Sequence, residues 1–325
     1  MATDAEVTSA ISAQFVAGKN KIINGDFGIW QRGTSFSTTS SLLYTADRWW
    51  TNAFSGTATV SRQTFAAGTA PIAGYEGTYF LRFANTNTFT QLGQRIEDVR
   101  AFAGQTVSVS FWAKAASSLS LQPYLEQNFG SGGSASTYAA GTAANVTTSW
   151  QRFTATIPAA SISGKTIGTS SFLNFYLLTS TLNTDIDVWG VQVEAGSTAT
   201  NFTTATGTIQ GELAACQRYY LLVASGVGAP IAAAWYPTST AMSTIVNFPV
   251  EMRTSSPTLV QTTGTGYYNV YAVAGNDSLN SLTIDVRSSR ACLLYNNTDA
   301  SGTAGSTGNS VTNNASSHLA LSAEL

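Results

Sequence analysis

The chain has little of what most enzymes depend on. Its 325 residues include one histidine, His318, and two cysteines, Cys216 and Cys292. Ser-His-Asp and Cys-His chemistry needs an imidazole base, and a lone histidine near the end of the sequence nearly excludes that class. Two cysteines are too few for a disulfide framework and have no metal-ligand spacing. They read as buried free thiols, which pack as small apolar groups. Charged residues make up only 10% of the chain and the formal net charge is −2. There is no basic run, so the electrostatic footprint of nucleic-acid binding is missing. No Gly-rich phosphate loop stands between a strand and a helix. No stretch approaches the ~20 apolar residues that span a bilayer, so no membrane insertion is expected. Met1-Ala2-Thr3-Asp4-Ala5-Glu6 has no basic n-region, so it does not read as a signal peptide. Synthesis in a cytoplasm and export by another route is the expectation.

What is there is aromatic and β-like. Seven Trp, 13 Tyr and 16 Phe argue against disorder. The length suits two domains of ordinary size. Strict alternation marks several strands. In Val107–Lys114, Val107, Val109 and Phe111 share one face, while Ser108, Ser110, Trp112 and Lys114 share the other. In Leu119–Gln127, Leu119, Leu121 and Leu125 oppose Gln122, Tyr124 and Glu126. In Phe172–Leu177, Leu173, Phe175 and Leu177 oppose Asn174 and Tyr176. Short strands separated by Gly- and Ser-rich turns predict a sandwich or jelly roll.

The chain is organised around residues 186–220, where a strand (Ile186–Glu194) gives way to a helix (Glu212–Tyr220). The expected fold is all-β: two β-sandwich (jelly-roll-like) domains joined by a short helix, with a short N-terminal helix. The divisions are 1–19 for an anchor or assembly helix, 20–205 for the first sandwich, 206–220 for the linker and helix, and 221–325 for the second sandwich. Val7, Ile11 and Phe15 form the apolar stripe of the N-terminal helix. Residues 296–317, poor in apolar side chains, read as a long loop, and His318–Leu325 as a closing strand.

The outward set Trp112, Lys114, Gln122, Tyr124, Glu126, Asn174 and Tyr176 is the candidate ligand site, placed on one face of one sheet. Rings that stack on apolar sugar faces, flanked by groups that take hydroxyls, suit a carbohydrate. The alternative is a face packed against a subunit or loop. Asp185 and Asp187 project to one side of a strand, ~7 Å apart. That spacing is compatible with a glycosidase pair, with solvated carboxylates, or with one ligand of a calcium ion.

Three groups of residues resemble bacteriophage tail-fibre and minor virion structural proteins. The first is Asn24-Gly25-Asp26-Phe27 with Ile29-Trp30-Gln31-Arg32-Gly33 and Ala46-Asp47-Arg48-Trp49-Trp50. The second is Val191-Gln192-Val193-Glu194-Ala195-Gly196 leading to the Glu212–Tyr220 helix. The third is Phe248–Arg253, Ser256-Pro257 and the closing Ser322-Ala323-Glu324-Leu325. The first domain is also similar to jelly-roll carbohydrate-binding modules. These resemblances imply a non-enzymatic virion subunit, a homotrimer, joined to other virion proteins through its N-terminal segment and touching a host surface glycan. They also imply a structural calcium near Asp26 and Asp187. The rival roles are a decoration or connector protein and a polysaccharide depolymerase.

Overall fold

The computed structural model describes residues 18–54, 57–72, 75–85, 90–181 and 183–325. The expected N-terminal helix lies outside the described residues. The chain forms two compact units: one reaches Leu213 and includes Leu325, and the other is Ala214–Glu324. The fold is nearly all-β, with one short helix among the described residues.

Unit 1 is a sandwich of two antiparallel sheets. Its strands are β1 (Ser35–Thr38), β2 (Leu43–Tyr44), β3 (Trp50–Ala53), β4 (Ala58–Thr64), β5 (Tyr79–Asn85), β6 (Thr90–Glu97) and β7 (Thr106–Ala115). They continue with β8 (Leu119–Asn128), β9 (Thr137–Ala140), β10 (Ala144–Val146), β11 (Gln151–Pro158), β12 (Phe172–Thr179) and β13 (Asp185–Ala195). One sheet runs β1-β4-β5-β13-β7-β11 and the other β10-β8-β12-β6-β3-β2, with β9 also on β8. The alternating apolar residues face inward as their period demands. Val107, Val109 and Phe111 meet Leu119, Leu121, Leu125, Leu173, Phe175 and Leu177 in one core. Each such burial contributes about 1.5–3 kcal/mol relative to exposure.

Residues 116–118 carry the chain from β7 in one sheet to β8 in the other. β7 and β8 are therefore not a hairpin, and their outward faces lie on opposite sides of the sandwich. This decides the location of the candidate site.

Residues of the first two groups that carry the virion-protein resemblance form a buried polar knot. Asn24 is fully buried; its Nδ2 donates to the carbonyls of Ile29 (2.9 Å) and Asp47 (3.0 Å), and its Oδ1 accepts from Ile29 N at 2.9 Å. Trp49 Nε1 donates to the Asn24 carbonyl, and Asn24 N donates to Glu212 Oε2 at 2.7 Å. Gly25 is required by close approach, since a Cβ there would stand 2.3 Å from the Val191 carbonyl oxygen of β13. Burial raises the pKa of Glu212, and the hydrogen bonds from Asn24 N and Thr206 oppose that shift.

The helix α1 (Ile209–Gln217) starts three residues earlier than the sequence predicts. Thr208 caps it, its Oγ1 accepting from Gly211 N at 3.1 Å. Among the described residues no helix is long and apolar enough to cross a membrane.

Unit 2 contains β14 (Tyr220–Ser225), β15 (Pro230–Thr238), β16 (Ala241–Asn247), β17 (Thr258–Gln261), β18 (Tyr268–Ala272) and β19 (Gly275–Leu279). It is completed by β20 (Thr283–Arg287), β21 (Ala291–Asn296), β22 (Thr307–Thr312) and β23 (His318–Ser322). A three-stranded sheet, β14-β23-β17, packs on a seven-stranded one, β19-β18-β22-β15-β16-β21-β20. The closing strand is β23, in the middle of its sheet. The long loop expected over 296–317 is corrected, because it contains β22, a central strand. Its inward polar side chains are satisfied locally; Ser310 Oγ donates to the Ala232 carbonyl at 2.8 Å. Hydroxyls that bond the neighbouring backbone make a buried strand without an apolar signature. Cys216 and Cys292 are buried and form no disulfide, and burial pushes the Cys292 thiol up to about 11.

Candidate functional site

The outward face of the sheet containing β8 and β12 carries three cross-strand rows of functional side chains. The first row is Trp50 (β3), Gly93 (β6), Tyr176 (β12), Tyr124 (β8) and Ala140 (β9). The second is Arg95, Asn174, Glu126 and Tyr138, on β6, β12, β8 and β9. The third is Asn52, Gln91, Leu178 and Gln122. Neighbouring strands stand about 4.8 Å apart, so each row brings these side chains into contact.

Tyr124 and Tyr176 stack with centroids 5.1 Å apart and planes within 6°. Trp50 follows at 6.2 Å from Tyr176. Gly93 makes this possible, because a Cβ there would lie 2.5 Å from Trp50 Cζ2 and 2.7 Å from Tyr176 Cβ. A hydrogen-bond chain crosses the same strands. Trp50 Nε1 donates to Asn174 Oδ1 (3.2 Å), and Asn174 Nδ2 donates to Glu126 Oε2 (3.1 Å). Tyr138 OH and Asn128 Nδ2 donate to Glu126 Oε1 at 3.2 and 3.3 Å. Tyr124 OH donates to Gln122 Oε1 at 3.2 Å, and Gln122 Nε2 donates to the Gly141 carbonyl. Asn52 Oδ1 is a buried acceptor with no hydrogen-bond partner.

Burial first, then the charge of Glu126, pushes the Tyr176 phenol up to about 12 and raises that of Tyr138. Both stay protonated donors at neutral pH. Tyr138 is 64% exposed and Tyr124 half-buried, whereas Trp50, Asn174 and Tyr176 are buried beneath their neighbours. The surface open to a ligand is therefore Tyr124, Tyr138, Gln122 and Glu126, backed by a stiff aromatic layer.

The structure separates Trp112 and Lys114 from this group, correcting the expectation that all seven residues share one sheet. Both lie on the outward face of the other sheet, under a layer of loops. Trp112 is 8% exposed and packs among Trp189 (5.6 Å), Phe202 (6.3 Å) and the Arg152 guanidinium (5.0 Å). Lys114 Nζ stands 3.6 Å from Asp187 Oδ2 and 5.4 Å from the Trp150 ring centroid. Alternation identifies outward side chains but not the sheet they leave or what covers them.

Trp50, Tyr138, Asn52 and Gln91 were not among the expected site residues. Trp50 stands in the Trp49-Trp50 pair, where one ring points in and the next out. Tyr138 stands in Thr137-Tyr138-Ala139-Ala140, which carries no alternation signal.

Asp26 and Asp187 do not form a calcium site in this arrangement. Asp187 is buried, and both of its oxygens are bound by Arg82, Nε to Oδ1 at 2.7 Å and Nη2 to Oδ2 at 2.9 Å. A metal would have to displace a guanidinium. Asp26 lines a different cavity, of about 520 Å³, and accepts from Tyr75 OH at 2.8 Å. Among the described residues no cluster of three or more His, Cys, Asp or Glu side chains is placed to hold a metal. Asp185 and Asp187 do line one cavity, of about 340 Å³, but Arg82 and Lys114 share it. The hydrogen bond to Asp187 raises the pKa of Arg82. His318 lies on β23 with its Nε2 2.6 Å from Tyr220 OH.

The family profile described as a carbohydrate binding domain matches residues 20–169. That segment includes Trp50, Gln122, Tyr124, Glu126 and Tyr138 and ends before β12. The comparison with curated proteins gives no match. Among solved structures, the chain is similar to the CBM22-1 xylan-binding domain of Xyn10C from Paenibacillus barcinonensis, with 16% identity, 50% of this chain and 99% of that one covered, and a TM-score of 0.34. It is also similar to TmCBM61, solved with β-1,4-galactotriose (12% identity, 55% and 99% covered, TM-score 0.31). A third is the enzymatically active domain of bacteriophage CBA120 tailspike protein 4, with 11% identity, 55% of this chain and 22% of that one covered, and a TM-score of 0.33.

Proposed function

We propose that unit 1 is a glycan-binding module whose ligand lies across β12, β8 and β9. The observation that carries this is the row of Tyr124 and Tyr176, with Tyr138 and Glu126 in the next row of the same face. An exposed ring offers an apolar face to a pyranose, and Glu126 and Gln122 beside it take hydroxyls. The aromatic layer beneath fixes these groups before a ligand arrives, which lowers the ordering cost of binding. The carbohydrate-binding profile over residues 20–169 supports the same reading.

We read the chain as a subunit of a bacteriophage tail fibre or appendage, homotrimeric, that presents this module to the host surface. Support for the virion role comes from the three groups of motif residues given above; Asn24, Gly25, Asp47 and Trp49 among them belong to the scaffold, and Trp50 lies in the buried aromatic layer beneath the ligand surface. Two measurements test the reading. Titration of the purified chain with a neutral polysaccharide panel is expected to give binding that Tyr124→Ala weakens about tenfold; no binding to any member would overturn the module. The mass in solution is expected to be that of a trimer; a monomer would overturn the fibre assignment and leave the module standing.

A further inference from the structure

The open face of unit 1 carries a carboxylate at its centre. Glu126 stands on β8 between Asn174 of β12 and Tyr138 of β9. Three neutral donors hold it: Asn174 Nδ2 on Oε2, and Tyr138 OH and Asn128 Nδ2 on Oε1. Such bonds orient the group and leave its charge uncompensated. Among the described residues Glu126 has no salt-bridge partner.

The other charges of this face are on β6, across β12 from Glu126. Arg95 and Glu126 both pair with Asn174, so two strand spacings, about 9.6 Å, separate their backbones. The Arg95 guanidinium is turned to the Phe172 ring, 4.6 Å from its centroid, and donates to the Leu325 carbonyl. Glu97, which pairs with Phe172, is a second carboxylate. The rest of the accessible surface, Gln122, Tyr124 and Tyr138, is uncharged. Glu126 therefore sets the potential where a ligand would lie, and its charge helps to raise the Tyr138 and Tyr176 phenols.

We propose that Glu126 makes this face discriminate against acidic glycans, an inference that rests on the glycan-binding reading of unit 1. A neutral sugar donates a hydroxyl to the carboxylate and gains a charge-assisted hydrogen bond. An acidic polysaccharide repeats its carboxylate or sulfate along the chain. Seated on Tyr124 and Tyr138, it brings an anion beside Glu126 and meets like charge. At about 6 Å and an effective dielectric between about 20 and about 80, that repulsion lowers affinity roughly 3- to 100-fold.

Calorimetric titration of the full chain with matched pairs of polysaccharides tests this. The pairs are hydroxyethyl- and carboxymethyl-cellulose, fully and sparsely methyl-esterified homogalacturonan, and xylan without and with glucuronate branches. Each pair shares a backbone and differs in charge. At least one neutral member is expected to bind, with its acidic partner about tenfold weaker at low salt. Raising salt from about 0.05 to about 0.5 M should close most of that gap, because screening then acts over a few ångströms. Glu126→Gln removes the charge and should bring the ratio within about twofold, whatever happens to the neutral affinity itself. The salt series needs only the native chain, so it decides the matter if the variant fails to fold. An acidic member bound as tightly as its neutral partner, a gap that ignores salt, or a ratio unmoved by Glu126→Gln overturns this role and leaves the module standing. Silence from all three neutral members overturns the module, and this role with it.

Discussion

The two outward faces of unit 1 have the same strand alternation and opposite fates. On the β7–β13 side Trp112, Trp189, Asp187, Gln192 and Glu194 point away from the core and are all buried. Phe65, Phe80, Trp150 and Phe202 roof the rings, Arg82 and Lys114 neutralise Asp187, and Lys19 meets Glu194 at 3.1 Å. On the β8–β12 side the outermost groups, Tyr124, Tyr138, Gln122 and Glu126, remain accessible. Outward and exposed are different properties. A period of two reports only the first, and the second depends on loops from distant parts of the chain.

This contrast predicts that substitutions on the roofed face change stability and leave glycan affinity alone, while those on the open face do the reverse. The largest effect is expected for Trp112→Ala, with a loss of about 3–5 kcal/mol in urea unfolding, as for other buried aromatics, and unchanged affinity in the folded fraction. A matching loss of affinity would return Trp112 to the ligand site. Arg82→Ala leaves Asp187 buried with only Lys114 nearby, and about 2–3 kcal/mol should go, again read from the urea midpoint. Tyr124→Ala should cost about tenfold in affinity but only about 1 kcal/mol of stability, the value of one stacked pair; calorimetric titration and thermal melts together separate the two.

Between the two faces, it is the roofed one from which a pH effect is expected. Burial pushes the Glu194 carboxyl up, but hydrogen bonds from Thr200 N, Gln192, Thr200 Oγ1 and Lys19 outweigh it and hold the group below its ordinary value of 4.5. A carboxylate lowered by folding contributes stability above that value and loses it as pH falls through the depressed one. The melting temperature should therefore drop on acidification below about pH 4.5, and Glu194→Gln should flatten that slope. The smallest change is expected from Tyr138→Phe, which removes one exposed donor to Glu126. Affinity should shift about two- to threefold, with less than about 0.5 kcal/mol in stability.

Much of this architecture is legible in the sequence. Val107, Val109, Phe111, Leu173, Phe175 and Leu177 could only form inward faces, and β7, β8, β12 and β13 follow from them. The assignment of Trp112 and Lys114 to the same surface as Tyr124 failed for a topological reason: three residues between β7 and β8 suggest a hairpin, but the chain uses them to change sheets. β22 was illegible for a chemical reason, because its inward residues are hydroxyls that bond the neighbouring backbone. Asn24 and Gly25 stood out as a motif, and the structure explains their type. An amide with three bonds and a residue without a Cβ hold the loop against β13 and α1. Motifs of this kind report the scaffold, so they locate the fold better than the ligand.

The order of the strands has a consequence for how the protein is made. In unit 1 the last two strands, β12 and β13, occupy interior positions in their respective sheets, and in unit 2 the same holds for β22 and β23. During synthesis the earlier strands of each unit emerge with a vacancy at the centre of both sheets. Neither unit can close until its final strands leave the ribosome, and each then closes as a whole. Unit 1 has all its strands by Ala195, so its two sheets can close while unit 2 is still being translated. A ribosome that stalls before β22 would leave a folded first unit tethered to open sheet edges, the species most prone to pair with another nascent chain.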